Sequence, residues 1–310
     1  MQELRTDELT GAQVIVAPGR ATRPEVFRPP STGAPAAKPP DSCPFCEGHE
    51  AMTPPEVARR GPGDADTPGW QVRVVPNLYP IVGDGVPGAH EVIVISPAHD
   101  GRIDQIPLDA ATAAIEVLRD RAAHHLASGL VHAQPILNHG RASGASIEHP
   151  HAQLIALGFT PPFVESVLDR FAAAGGDLVA DAIDDARAKD LVVRDDAAVT
   201  WCPPASNSPF LTRIALPYGR QRFDRATDSE ITALTIALRD ALGRLDGVIG
   251  DFAYNIVFHT APRDDERPFH WWADIVPRVA TYGGFEIGTG LWVNIRAAES
   301  AAELLREAGQ

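Results

Sequence analysis

Positive charge is scarce in this chain. Its 310 residues carry 27 Lys and Arg against 41 Asp and Glu, a formal net charge of −14 at pH 7, and every basic residue except Lys38 and Lys189 is arginine. Phosphate backbones demand a basic footprint, so no nucleic-acid partner is expected. A small anionic ligand needs only local Arg and backbone N–H groups and stays open. Cysteine is equally sparse. Three residues make no disulfide framework, and Cys43-Pro44-Phe45-Cys46 reads as a metal half-site in a reducing compartment. Long apolar runs are missing too, with nothing near a membrane span. The opening MQELRTDELTGAQVIV has neither the basic start nor the apolar core of a secretory signal. The expected setting is cytoplasmic, away from membranes.

What is present is an ordinary globular composition, 44% hydrophobic and 22% charged. The length suits one large domain or two of about 150 residues each. The most organised stretch runs from Asn138 to Leu157, NHGRASGASIEHPHAQLIAL. At its centre His149, His151 and Gln153 alternate at a period of two, running into Leu154-Ile155-Ala156-Leu157. That period predicts a strand with the three polar side chains on one face, and a strand holds imidazoles in fixed mutual geometry as a loop would not. Ahead of it, Gly140, Ser143, Gly144, Ala145 and Ser146 make a small-residue loop where backbone can approach phosphate closely. A phosphate-cradling loop followed by paired imidazoles points to phosphorus chemistry.

Residues 11–28 predict a short strand, a turn at Pro18-Gly19, then Arg20 and Arg23, which are either solvated or aimed at phosphate. The Pro-, Ala- and Gly-rich segment 29–41 predicts an exposed arm that delivers Cys43 and Cys46, two thiolates for one tetrahedral zinc. Residues 72–80 and 90–96 read as strands joined by a Gly-rich loop; His90 receives no role. Leu108, Ala111, Ile115, Leu118, Ala122 and Leu126 mark the buried stripe of a long helix, with His124 and His125 near its end serving the dipole or solvent. Residues 131–137 predict the next strand. Helical pieces over about 162–174 and 177–189, parted by Gly175-Gly176, read as a connector. The tail from Thr281, TYGGFEIGTGLWVNI, reads as glycine-rich and strand-like, followed by a short helix over about 299–308.

The chain also repeats itself. Pro97 and Pro217 each close an apolar strand. At the same offset the stripe Ala111, Leu118, Ala122 recurs as Ile231, Leu238, Leu242, and His139 recurs as His259; His149 recurs as His270 one residue further on. The copy lacks the chemistry. His149-Pro150-His151-Ala152-Gln153 becomes His270-Trp271-Trp272-Ala273-Asp274, and Trp is no nucleophile. Gly219 stands where His99 stood, and Cys202 has no Cys beside it. The expected organisation is a competent half over residues 1–160, a helical connector over 161–198 and a degenerate half over 199–310. His270 and Asp274 fit ligand contact or core equally.

The His-Pro-His-x-Gln motif, behind an Asn and a Gly/Ser loop, resembles the galactose-1-phosphate uridylyltransferase branch of the histidine-triad superfamily. One competent half and one structural half is also how that family is built. The resemblance implies an α+β fold of two tandem histidine-triad-like halves, an antiparallel sheet with packed helices, and a homodimer. It implies a structural zinc held by Cys43, Cys46, His99 and His149. It makes His151 the nucleophile, with Gln153 in place of the third His of the hydrolytic relatives. Substrate contacts would come from Arg20, Arg23, Asn77, Asn138, Gly144, Ser146 and Glu286, and the substrates would be a nucleotide sugar and a sugar phosphate. Two positions depart from the galactose-specific members, which carry Lys before the Gly-Phe-Glu segment and Gln after it; here those are Ala280 and Trp292. The run Gly-Gly-Phe-Glu-Ile-Gly-Thr-Gly is more similar to the plant ADP-glucose phosphorylase branch and its bacterial relatives.

The expected reaction, as in galactose metabolism, moves a nucleoside monophosphate between a nucleotide sugar and a sugar-1-phosphate. It proceeds in two displacements through a nucleotidyl-histidine. The alternative within the superfamily is phosphorolysis or hydrolysis of a nucleotide sugar or dinucleoside polyphosphate. Gln cannot readily protonate a leaving group or activate water, which argues against simple hydrolysis. A non-catalytic nucleotide sensor is the third reading, and the intact Asn138, Ser146, His151 and Gln153 set argues against it.

Overall fold

The computed structural model describes residues 2–22 and 40–309; Arg23 lies outside them. Two strands open the chain, β1 (Glu3–Thr6) and β2 (Gln13–Val16), and pair antiparallel. Then come β3 (Ala58–Arg60), β4 (Val72–Pro76), β5 (Gly88–Val94), helix α1 (Leu108–Ala127), β6 (His132–His139) and β7 (His151–Leu157). Helices α2 (Pro162–Ala174) and α3 (Leu178–Ala188) follow. The chain continues through β8 (Val192–Asp195), β9 (Val199–Trp201), β10 (Thr212–Ala215), α4 (Asp228–Ile249), β11 (Tyr254–His259) and β12 (Trp272–Pro277). A last segment adds α5 (Gly284–Thr289), β13 (Trp292–Asn294) and α6 (Ala298–Glu307).

Among the described residues, β3 to β12 make one ten-stranded sheet in the order β3-β4-β5-β7-β6-β11-β12-β10-β9-β8. Every pairing in it is antiparallel. The fold is α+β, a large antiparallel sheet with packed helices. The order is mirrored: β5-α1-β6-β7 on one side answers β10-α4-β11-β12 on the other. The seam is β6 against β11, where Asn138 faces Asn255 and Ile136 faces Val257. Helices α1 and α4 bury their apolar stripes, Ala111, Ile115, Leu118 and Ala122 in one and Ile231, Leu234, Leu238 and Leu242 in the other. These share a core with Ala152, Leu154 and Ala156 of β7. Since alternate strand residues face opposite ways, His151 and Gln153 stand on the sheet face turned away from those helices. No helix among the described residues is long and apolar enough to cross a membrane.

Several local expectations need correction. The tail is not strand-like throughout. Gly284–Thr289 is helical, because the Glu286 carboxylate accepts the Gly283 N–H at 2.8 Å and the Thr289 hydroxyl donates to the Phe285 carbonyl. Only Trp292–Asn294 is extended, and it pairs parallel to β2, so that β1, β2 and β13 form a separate three-stranded sheet. The strand expected over residues 72–80 stops at Pro76, since Asn77 turns the chain by accepting the Tyr79 N–H on its side-chain oxygen at 2.8 Å.

In the second half, the places of the chemical residues are taken by buried ion pairs. Arg213 donates to both Asp274 oxygens, at 2.8 and 3.1 Å, and reaches Asp7 at 3.1 Å, tying the N-terminal hairpin to β10 and β12. His270 meets Asp177, the N-cap of α3, at 2.9 Å, and a Cβ on Gly219 would come within 2.7 Å of that carboxylate. Burial alone would raise the Asp274 pKa, but the Arg213 charge and His259 hold it well below the usual carboxylate range. Asp274→Ala leaves the Arg213 guanidinium, 2% exposed, with only Asp7. A loss of about 3–5 kcal/mol in urea unfolding is expected at pH 7; an unchanged midpoint would show the pair to be neutral. Because the folded pKa is depressed, this stability is present above the unfolded carboxylate value of about 3.9 and is lost as pH falls below it.

Candidate active site

The first strand-end feature is a corner of four side chains that could hold a metal. The Cys46 Sγ lies 3.3 Å from His99 Nδ1 and 3.6 Å from His149 Nδ1, and the Cys43 Sγ lies 3.7 Å from His149 Nδ1. All four ligand atoms fall within 4.8 Å of one another. Two sulfurs and two ring nitrogens so placed fit a tetrahedral zinc with no open position. His149 Nε2 is 2.7 Å from the Ser96 carbonyl. It must be the protonated nitrogen, which turns the Nδ1 lone pair toward the thiols. Burial pushes His149 down to about 4, so the ring is neutral, as a ligand must be. Burial, reinforced by Cys43, lifts the Cys46 thiol to about 11. A thiolate in this corner therefore calls for a cation.

Two residues on, His151 is 7% exposed, and its Nδ1–H donates to the His149 carbonyl at 2.7 Å. That bond settles the tautomer and leaves the lone pair on Nε2. Burial holds the ring's pKa below its ordinary value, so the lone pair is not lost to a proton. The ring tilts against Phe45, with centroids 5.4 Å apart. The regular ladder begins only at His151, because Pro150 has no N–H, although its carbonyl still accepts Ile95 N–H at 3.2 Å. His149 thus sits ahead of the strand in the metal corner, while His151 and Gln153 share a face. The regular strand holds two of the three expected residues, and Phe45 packs against both imidazoles.

Gln153 Oε1 lies 2.9 Å from His90 Nε2, and Asn77 Nδ2 lies 3.1 Å from the same nitrogen. Asn77 and Gln153 thus meet at His90, a residue to which the sequence assigns no role. The register explains the omission: Val92 of β5 faces Gln153 of β7, so His90 shares that face, and only the pairing reveals it.

The loop between β6 and β7 is shaped by Gly140, whose φ is +76° and whose Cβ would come 2.8 Å from that of Ala253. A turn over Arg141–Ser143 ends at Gly144, φ +92°. Asn255, from the second half, donates its amide to Asn138 Oδ1 at 2.7 Å and to the Ser143 carbonyl at 2.9 Å. A side chain of the second half therefore braces the loop of the first. Ser146 stands exposed at the far end of the loop. Arg20 and Glu286 are elsewhere. Arg20 is exposed in the turn after β2, and Glu286 sits in α5 beside β13. Both ride on the three-stranded sheet. Among the described residues, no hydrogen bond or ion pair joins either to His151 or Gln153.

A buried imidazole, an amide on the same strand and a Cys2His2 corner two residues away, all on a ten-stranded antiparallel sheet, form an arrangement of the histidine-triad type. No family model matches the chain. It is 31% identical to ADP-glucose phosphorylase of Arabidopsis thaliana over 98% of this chain and 92% of that one. It is 25% identical to galactose-1-phosphate uridylyltransferase of Cryptococcus neoformans over 98% and 89%. The crystal structure of the Arabidopsis thaliana ADP-glucose phosphorylase with bound ADP-glucose matches with a TM-score of 0.87 at 29% identity, covering 99% and 98% of the two chains. The chain belongs to the galactose-1-phosphate uridylyltransferase-like family of nucleotidyltransferases and phosphorylases.

Proposed function

We propose that this protein transfers a nucleoside monophosphate from a nucleotide sugar to a phosphate acceptor through a covalent nucleotidyl-His151. The observation that carries the reading is the His151 Nδ1–H bond to the His149 carbonyl, which presents Nε2 as the free nucleophile beside the Gln153 amide. Direct attack of one phosphate on another brings two anions together, and a neutral imidazole divides that step in two. Nε2 attacks the α-phosphorus; the N–P bond forms as the bond to the bridging oxygen breaks, and the electron pair leaves on the sugar-1-phosphate. An oxygen of the acceptor then attacks the same phosphorus and returns the pair to the imidazole. Gln153 would donate an amide N–H to a non-bridging oxygen, with Asn138, the Gly144 N–H and Ser146 assisting. Zinc at Cys43, Cys46, His99 and His149 would brace the backbone that holds the nucleophile.

With inorganic phosphate as acceptor the second product is a nucleoside diphosphate; with a sugar-1-phosphate it is a new nucleotide sugar. The likeness to ADP-glucose phosphorylase favours an ADP-sugar donor and phosphorolysis. Trp292, which packs edge-on to Tyr282 with centroids 4.6 Å apart, departs from the galactose-specific members, which carry Gln there. Residues 1–160 would form the competent half and 199–310 the half that supplies Asn255, joined by 161–198. Arg20 and Arg23 would approach the substrate's phosphates, and Glu286 would contact the sugar, reaching into the partner's site of a homodimer. Helix α5 leaves Phe285 and Ile287 48% and 80% exposed beside Glu286, a surface suited to a second copy. A reducing, cytoplasmic setting would keep the Cys43 and Cys46 thiols free.

Incubation with ADP-, UDP- and GDP-sugars labelled at the α-phosphate tests this. ADP-glucose is expected to leave acid-labile label on the protein, and added phosphate to release it as ADP. Absence of label from every donor would sink covalent transfer, and label from UDP-glucose alone would overturn the choice of base.

A further inference from the structure

We propose that His90 is a positioning residue that decides which end of the Gln153 amide faces the substrate phosphate. The inference rests on the reading of His151 and Gln153 above, and it starts from a donor that cannot be reassigned. The backbone N–H of Ile81 points at His90 Nδ1, 3.3 Å away. A backbone N–H only donates, so Nδ1 carries the lone pair and the ring proton sits on Nε2. That N–H faces Gln153 at 2.9 Å, so the atom Gln153 presents to it must be its carbonyl oxygen. This holds whichever way an amide's nitrogen and oxygen are first placed. The Gln153 NH2 is then the end left for the ligand.

Asn77 closes the argument. Its oxygen is taken by the Tyr79 N–H at 2.8 Å, so its NH2 is the group 3.1 Å from His90 Nε2. With the proton on Nε2 that approach is between two donors and carries no hydrogen bond, so the Asn77 amide hydrogens turn to other acceptors. The other tautomer would accept one bond at Nε2, from Asn77 or from a Gln153 amide turned to present its NH2, but would set its Nδ1–H against the Ile81 N–H. Two hydrogen bonds outweigh one, and His90 is only 8% exposed, so water cannot make up the loss. The consequence is chemical. A carbonyl oxygen turned to a phosphate repels its charge, whereas an N–H donates to it. An unrestrained glutamine amide presents both ends; this one is held to one.

The test uses His90→Phe, which keeps a flat ring but has no nitrogen, and His90→Gln, whose amide can still donate to Gln153 and accept from Ile81. Each is measured for ADP-glucose phosphorolysis in wild-type and Gln153→Ala backgrounds. His90→Phe is expected to lower kcat about tenfold with KM changed less than about threefold, and His90→Gln to recover most of it. In the Gln153→Ala background His90→Phe is expected to change nothing further, because the amide it orients is gone. An equal loss in both backgrounds would overturn the proposal. If no donor supports turnover, the functional reading has failed on its own. The orientation is then decided by the side-chain amide resonances of Gln153, assigned in 15N spectra by their absence from Gln153→Ala. Resonances that shift and broaden in His90→Phe but not in His90→Gln support the inference; resonances unmoved in both variants refute it.

Discussion

His151→Ala is expected to lower kcat by about three orders of magnitude or more and to abolish retention of labelled nucleotide on the protein. The ring has an unshared pair directed by the backbone and lies outside the Cys2His2 set. Its Nδ1–H is committed to the His149 carbonyl, and burial keeps it neutral. Removing it takes away the covalent route while leaving the loop, Asn138 and Asn77 in place. Nucleotide-sugar binding, read by calorimetry, is therefore expected to change by less than about tenfold, since the proposed ground-state contacts come from those groups. Turnover within tenfold of wild type would show that the nucleophile is not this imidazole. Full retention of biological function without turnover would favour a nucleotide sensor on the same fold.

Cys43→Ser is expected to lower stability sharply. The Cys43 side chain is buried, and its sulfur is one of four donors converging within 4.8 Å. With the ligand set broken, the remaining thiol and imidazoles are left in a corner built for a cation. The cost is expected to be on the order of 4 kcal/mol. At about 2–4 °C per kcal/mol, Tm falls by roughly 10 °C. Elemental analysis is expected to find one zinc per chain in the wild type and little in the variant. Chelation of the wild type is expected to reproduce the lower Tm, and phosphorolysis should decline as His149, whose carbonyl anchors His151, loosens. A wild-type protein free of zinc, with a Tm indifferent to chelator, would remove the metal from the account.

Much of the architecture is written in local patterns. The helices expected over 108–126 and 162–174 form at Leu108–Ala127 and Pro162–Ala174. A three/four apolar stripe, a proline in the first turn and a glycine at the C-cap are properties of one short window of chain. The His151 to Leu157 strand is legible for the same reason. Where a glycine-rich segment has no period, local reading fails. Gly284–Thr289 is helical because a carboxylate three residues on closes its first turn, and spacing in the chain does not show that.

By itself the sequence determined the ingredients: a thiol pair, two histidines around a proline, a Gln in place of a third His, and a second half with tryptophan where the nucleophile would be. The partnerships were decided only by the tertiary structure. His90 meets Gln153 because β5 and β7 pair in one register, Asn255 holds Asn138 because β6 and β11 form the seam, and Arg213 finds Asp7 from 206 residues away. Strand register shifts every side chain to the other face when it slips by one residue. It is set by the packing of the whole sheet, and no stretch of the chain read alone contains it.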